Sequence, residues 1–139
     1  MTTIRLRGLA ERADCAEQPL GPDVVVPETV SVYLEFNLSS GPVGTATLKR
    51  DEQGIWADVT LHPDAGNWSA TLMRRVIEKG QLRDLWPAFA ISVARTVVSE
   101  GVITAGEVTN MSLSRANRDP DLPPYEIVYD DRSSGGEED

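Results

Sequence analysis

The sequence predicts a mainly β fold of the α+β class. Three observations carry this: apolar residues alternate from Val30 to Phe36, two apolar runs flank the turn KRDEQG, and only one stretch has helical periodicity. A chain of 139 residues with 40% hydrophobic and 25% charged residues fits one domain around a single core. We expect that domain over residues 1–130 and a flexible acidic tail over 131–139, where RSSGGEED has the composition of disordered chain.

The elements follow in order. Ile4, Leu6 and Leu9 mark a first extended segment, and a polar loop runs from there to Pro22. Val24, Val25 and Val26 form a short apolar run stopped by Pro27. In the strand that follows, Val30, Val32, Leu34 and Phe36 should face the core, with Ser31, Tyr33 and Glu35 on the other side. Gly44 to Leu48 and Ile55 to Leu61 read as a hairpin, with Asp51 and Gly54 supplying its turn chemistry. Asn67 is placed to cap a helix whose apolar stripe is Trp68, Leu72 and Val76, joined by Met73 and Ile77. Gly80 ends that helix, and Arg74 and Glu78 are spaced as an exposed pair. Strands return at Phe89–Val98, Val102–Val108, Met111–Leu113 and Tyr125–Tyr129, interrupted by the Pro/Asp loop ANRDPDLPP.

Charge and cysteine content narrow the function. A net charge of −9 opposes a phosphate-binding surface, so nucleic acid is not an expected partner. Much of that charge lies at the C-terminus, where Glu126, Asp130, Asp131, Glu137, Glu138 and Asp139 face only Arg132. Cys15 is the only cysteine, which rules out an intrachain disulfide and gives no sign of an oxidising compartment. The N-terminus alternates apolar and basic residues, unlike a signal peptide, and no apolar run reaches the roughly 20 residues needed to cross a bilayer. We therefore expect no membrane association. A single histidine, His62, and a single cysteine cannot build a four-ligand zinc site, and no metal or cofactor is indicated.

Two segments carry a family resemblance: VSVYLEFNLSSGPVGTATLKRDEQGIWADVTL (Val30 to Leu61) and GQLRDLWPAFAI (Gly80 to Ile91). Their order and spacing resemble the prohead (capsid maturation) proteases of tailed phages, whose fold is akin to the herpesvirus assemblin fold. The resemblance implies a compact, mostly antiparallel β-barrel with one principal helix. It places Asn37 where the family has its catalytic histidine and Trp86 where it has its nucleophilic serine. A third segment, TNMSLSRANRDP, looks like the family's C-terminal motif and puts Asn110 on the acidic position, although its spacing to Ala116 and Asn117 is one residue short.

These replacements remove the chemistry. An indole N–H cannot attack a carbonyl, and an amide does not titrate in the range a general base needs. Losing a triad serine or histidine alone costs about a million-fold in turnover in a model serine protease. The expected function is therefore that of a pseudo-protease: a capsid structural or assembly component, such as a decoration or minor capsid protein, multimeric on the shell and bound to the major capsid protein. It would be made in the bacterial host cytoplasm and reside in the virion. The alternative is a divergent, active maturation serine protease that processes the capsid or scaffold precursor. Ser39, Ser40, Ser92, Ser112 and Ser114 could then serve as nucleophiles beside His62, but no nucleophile elbow surrounds any of them. Trp86, Trp56 and Phe89 are the candidate partner-facing aromatics, whereas Trp68 is expected in the core or at the helix-docking surface.

Overall fold

In the computed structural model, which describes residues 3–14, 19–117 and 119–130, the 44–61 hairpin forms as its sequence predicts. Strand β3 (Gly44–Asp51) pairs with β4 (Gly54–Leu61) without a register shift, and Gly54 at φ 140 closes the turn. A side chain at Gly54 would place its Cβ 2.0 Å from the Glu11 carbonyl oxygen, so only glycine fits. The other strands are β1 (Ile4–Arg12), β2 (Thr29–Leu34), β5 (Ala88–Ser99), β6 (Val102–Ser114) and β7 (Glu126–Asp130). The two stretches expected as separate strands, Val102–Val108 and Met111–Leu113, are one continuous strand, β6. Two helices, α1 (Trp68–Glu78) and the single turn α2 (Leu82–Leu85), lie between β4 and β5.

All seven strands join one sheet in the order β5-β6-β2-β3-β4-β1-β7. Every pairing is antiparallel except β2 with β6. The sheet is mixed and does not close into the expected barrel. Strands β5 and β7, at its two ends, share no ladder. The loop after β6 comes between them: the Asn117 side chain donates to the Phe89 carbonyl at 2.8 Å, and the Tyr125 amide donates to the Pro87 carbonyl. Those bonds occupy carbonyls at the start of β5 that another strand would otherwise use. Across this gap the Phe89 and Tyr125 rings stack at 4.8 Å.

Core positions follow the alternation in β2, β3 and β4: Val30, Val32 and Leu34, then Ala46 and Leu48, then Ile55, Ala57, Val59 and Leu61 are buried. Phe36 departs from the expected pattern. The chain leaves β2 before it, and Glu35 and Phe36 both take left-handed backbone (φ 49 and 57), so the ring is exposed instead of buried. The inner face of α1 also differs from the expected stripe. Ser69, Ala70, Met73, Val76 and Ile77 are buried, while Trp68 is 65% exposed and Leu72 38%. The backbone of α1 is rotated so that the short Ser69 and Ala70 face the sheet. The predicted cap holds, with Asn67 accepting from the Ala70 amide at 2.8 Å. Arg74 pairs with Asp64 at 3.4 Å, not with Glu78.

At the end of β1, Arg12 clasps the buried Asp119 in a two-pronged pair, Nε to Oδ2 at 2.6 Å and Nη2 to Oδ1 at 3.0 Å. The Asp119 carboxylate holds the Arg12 guanidinium pKa above its ordinary value. This pair fastens the loop before β7 to β1. Cys15 and the acidic tail over 131–139 lie outside the described residues.

Candidate functional site

Strand β6 carries its polar residues on one face at its C-terminal end. Asn110, Ser112 and Ser114 alternate there with the fully buried Met111 and Leu113. Ser112 lies between Tyr33 of β2 and Ala90 of β5, and Ser114 lies opposite Ala88. The strained turn after β2 folds back onto this row. The Phe36 amide donates to the Ser112 hydroxyl at 2.9 Å, the Glu35 amide donates to the Leu113 carbonyl, and the Arg115 amide donates to the Glu35 carboxylate at 2.7 Å. Two consecutive non-glycine residues in left-handed backbone cost on the order of 1 to 3 kcal/mol each, and such strain gathers at functional sites.

Asn37 is the next residue of this turn and is exposed. Its amide donates to the Leu34 carbonyl, and its side-chain oxygen accepts from the Ser39 hydroxyl at 2.9 Å. Trp86 caps the one-turn α2 two residues before Ala88, so it too reaches the Ser114 end of β6. Asn110 lies further down β6, opposite Ser92. Its side-chain nitrogen donates to the Thr109 hydroxyl, while its side-chain oxygen is buried with no hydrogen-bond partner among the described residues. Asn37 and Trp86 thus flank the same end of one strand, and Asn110 lies on that strand about two residue pairs away.

The fold, a mixed sheet with these crossings and a helix pair after the fourth strand, has a counterpart among solved structures. The fold is assemblin-like. The chain is similar to KSHV protease, solved in complex with a hexapeptide phosphonate inhibitor, with a TM-score of 0.63 and 17% identity. That match covers 89% of this chain and 65% of the other, so the chain spans just under two thirds of the length of that protease. A second KSHV protease structure gives a TM-score of 0.44 at 13% identity, over 77% of this chain and 55% of that one. No family model and no curated protein matches the sequence. At this identity the likeness is one of fold.

Of the expected partner-facing aromatics, the structure buries two. Trp86 is 5% exposed and belongs to the core, and Phe89 is buried against Tyr125. Both are apolar groups on the inner side of the α2–β5 junction, and neither presents a surface. Trp56 is half-buried on the outer face of β4, between Leu9 of β1 and Lys49 of β3. It lines two open grooves. One, of about 420 Å³, has Arg7, Thr47, Lys49, Asp51, Gln53 and Asp58 on its walls; the other, of about 320 Å³, has Arg7, Leu9, Pro123, Pro124 and Glu126. Arg5 and Asp58, beside the first groove, form an ion pair at 3.0 Å.

His62 is exposed where β4 ends and lines a separate cleft of about 390 Å³ with Ser31, Pro42, Gly44, Thr45, Asp64 and Ala65. None of the five serines weighed as its partner lies on that cleft. The hydroxyls that share it are Ser31 and Thr45, brought together by the register of β2 with β3. The alternation of β2 carries that signal, because it turns Ser31 away from the core. Among the described residues, no hydroxyl is hydrogen-bonded to the His62 side chain.

Proposed function

We infer that this protein is a capsid structural or assembly component that keeps a protease-like frame without protease chemistry. It binds the major capsid protein of a tailed phage or prophage in several copies per shell and works as a decoration or minor capsid protein in the virion. The observation that carries the reading is what stands at the end of β6. Asn37 offers a side-chain amide already engaged with Ser39, and Trp86 offers a buried indole. Neither can move a proton or attack a carbonyl. Ser112, the hydroxyl nearest the turn, is fully buried and accepts from the Phe36 amide, so a substrate carbonyl has no approach to it.

The partner-binding role draws support from Trp56, an aromatic that lines two grooves on the outer face of the sheet, one mostly polar and one that also holds Leu9, Pro123 and Pro124. Aromatic anchors of this type dominate interface energetics. The outer edge of β7, which pairs with no other strand among the described residues, offers a second place where an extended segment of capsid protein could add as a strand.

The test is intact-mass and copy-number measurement on precursor and mature particles, together with a fluorophosphonate probe on the purified protein. Full-length chain at fixed high stoichiometry in mature particles, with no labelling, is the expected result. Labelling that His62→Ala abolishes, with fragments of this chain and a trimmed capsid protein in the particles, would reverse the reading in favour of an active maturation protease.

A further inference from the structure

Helix α1 presents a stripe that packing does not explain. Trp68, Leu72, Arg75 and Lys79 follow one another at i, i+4, i+7 and i+11, and all four are exposed. Trp68 is the most exposed of the large hydrophobic side chains. No acidic residue interrupts the stripe, although acidic residues outnumber basic ones, 22 to 13, in the whole chain. Among the described residues no carboxylate lies within 4 Å of Arg75 or Lys79; Arg74, on the flank, is the one cation of the helix held in an ion pair, with Asp64. Arg83 of α2, four residues after Lys79 in sequence, is also exposed. Cations near a helix C-terminus favour the helix dipole by a few tenths of a kcal/mol, which accounts for Arg75 and Lys79 by themselves. It does not account for an indole and a leucyl side chain left in water one turn apart, continuous with them.

We propose that this stripe is a docking surface for a partner protein, and that the docking segment is an acidic amphipathic helix. Two features fix the partner's chemistry. The N-terminal half of α1 offers only apolar contact, and the C-terminal half offers only positive charge, so the complement is an apolar pair followed by carboxylates. The stripe is about 16 Å long at 1.5 Å per residue, which is about three turns of a helix. Apolar anchors at helical spacing laid along another helix are a recurrent mode of peptide recognition, and the charges set orientation and partner choice. Another copy of this chain is a poorer fit, because a parallel arrangement would set its cations against each other and an antiparallel one would set them against the apolar pair, with no carboxylate to meet them in either. The proposal is independent of the capsid reading, since it names a different surface from the Trp56 grooves and the β7 edge.

The test uses the full chain and a fluorescein-labelled helical peptide of about 16 residues, with Leu at i and i+4 and Glu at i+7 and i+11. The control peptide carries Lys in place of both Glu. Anisotropy should show saturable binding of the Glu peptide, at least about tenfold weaker binding of the Lys peptide, and a loss of about tenfold or more on Trp68→Ala and on the double variant Arg75→Glu, Lys79→Glu. Because these side chains are exposed, Trp68→Ala should keep the parental thermal melt, and the double variant should lose about 1 kcal/mol or less through the helix dipole; melts are recorded alongside, and the double variant is assayed well below its midpoint. Binding should also weaken as salt is raised. Equal affinity for the two peptides, binding untouched by Trp68→Ala, or no saturation with the Glu peptide would overturn the proposal. So would concentration-dependent self-association in sedimentation that Trp68→Ala abolishes, because the occupant would then be a second copy.

Discussion

The β3–β4 and β5–β6 hairpins are both antiparallel, yet they obey different rules. The first runs from Gly44 opposite Leu61 to Asp51 opposite Gly54 with no slip, and its alternate residues are buried throughout. The second slips at three places, holds Arg95 and Glu100 at positive φ, and leaves Val97 and Val98 exposed at its tip. One slip is informative: Ser92 faces Asn110 while Val93 faces Val108, so Thr109 is an extra residue in β6. This lets Val108 and Met111, three apart, both turn into the core. It also sets Asn110, Ser112 and Ser114 on the opposite face, where Ser112 accepts from the Phe36 amide of the turn that carries Asn37. The even hairpin supports the sheet, and the uneven one redirects side chains along β6, where this chain bears its polar row.

That contrast can be broken or sharpened by substitution. Leu61→Ala, in the even hairpin, removes a fully buried side chain and should cost about 2 to 5 kcal/mol in urea denaturation. Val97→Ala, near the tip of the uneven hairpin, should stay within about 0.5 kcal/mol. Equal losses at the two positions would mean that the tip is packed against something. Ser112→Ala should cost about 1 to 3 kcal/mol, because it leaves the Phe36 amide without its acceptor. Faster hydrogen exchange at Phe36, with β3–β4 protection unchanged, would confine that effect to the turn.

An effect of opposite sign is expected at Tyr125, whose ring bridges the gap between the sheet ends and whose hydroxyl is buried without a partner among the described residues. Tyr125→Phe should be neutral or stabilising by up to about 1 kcal/mol at neutral pH. Burial raises the Tyr125 pKa well above its ordinary 10.0, against a smaller opposing effect of Arg83. The folded state therefore favours the neutral phenol. Its contribution is complete below the unfolded-state pKa and is lost as pH rises from about 10 toward the folded value. The phenylalanine variant lacks this ionisation and should keep its stability further into alkali in a pH-dependent melt. Identical alkaline profiles would show that the phenol ionises without penalty.

Local patterns in the sequence disclosed the elements that depend on neighbours. The period of Val30 to Leu34, the turn between Lys49 and Gly54, and Asn67 as a cap are all short-range features, and each forms as read. The position of Phe36 was not legible, because alternation continues through it while the backbone turns left-handed under bonds from Ser112 and Arg115, which are remote in sequence. Trp68 was misplaced for a related reason: helical spacing gives a stripe but not which of two adjacent stripes faces the sheet. The open sheet was equally hidden, since Asn117 and Tyr125 occupy the carbonyls of β5 through contacts that no local period encodes. For the candidate site, the residue types at 37, 86 and 110 were readable, but the burial of Trp86 and Phe89 and the pairing of Ser31 with the His62 cleft required the fold.

The parallel pairing of β2 with β6 also bears on how the chain reaches this fold. Val32 meets Met111 only after the hairpin, both helices and β5 have been made, so the sheet cannot be joined through its middle until most of the chain exists. Local hairpins form in microseconds, whereas joining strands so distant must first overcome the entropy of closing a long loop. During synthesis the β2 edge that later meets β6 would stand open beside a finished β3–β4 hairpin, a template for unwanted strand pairing. The order of the chain thus makes the joining of β2 to β6 wait for residues 102–114, and the addition of β7 to β1 wait for residues 126–130.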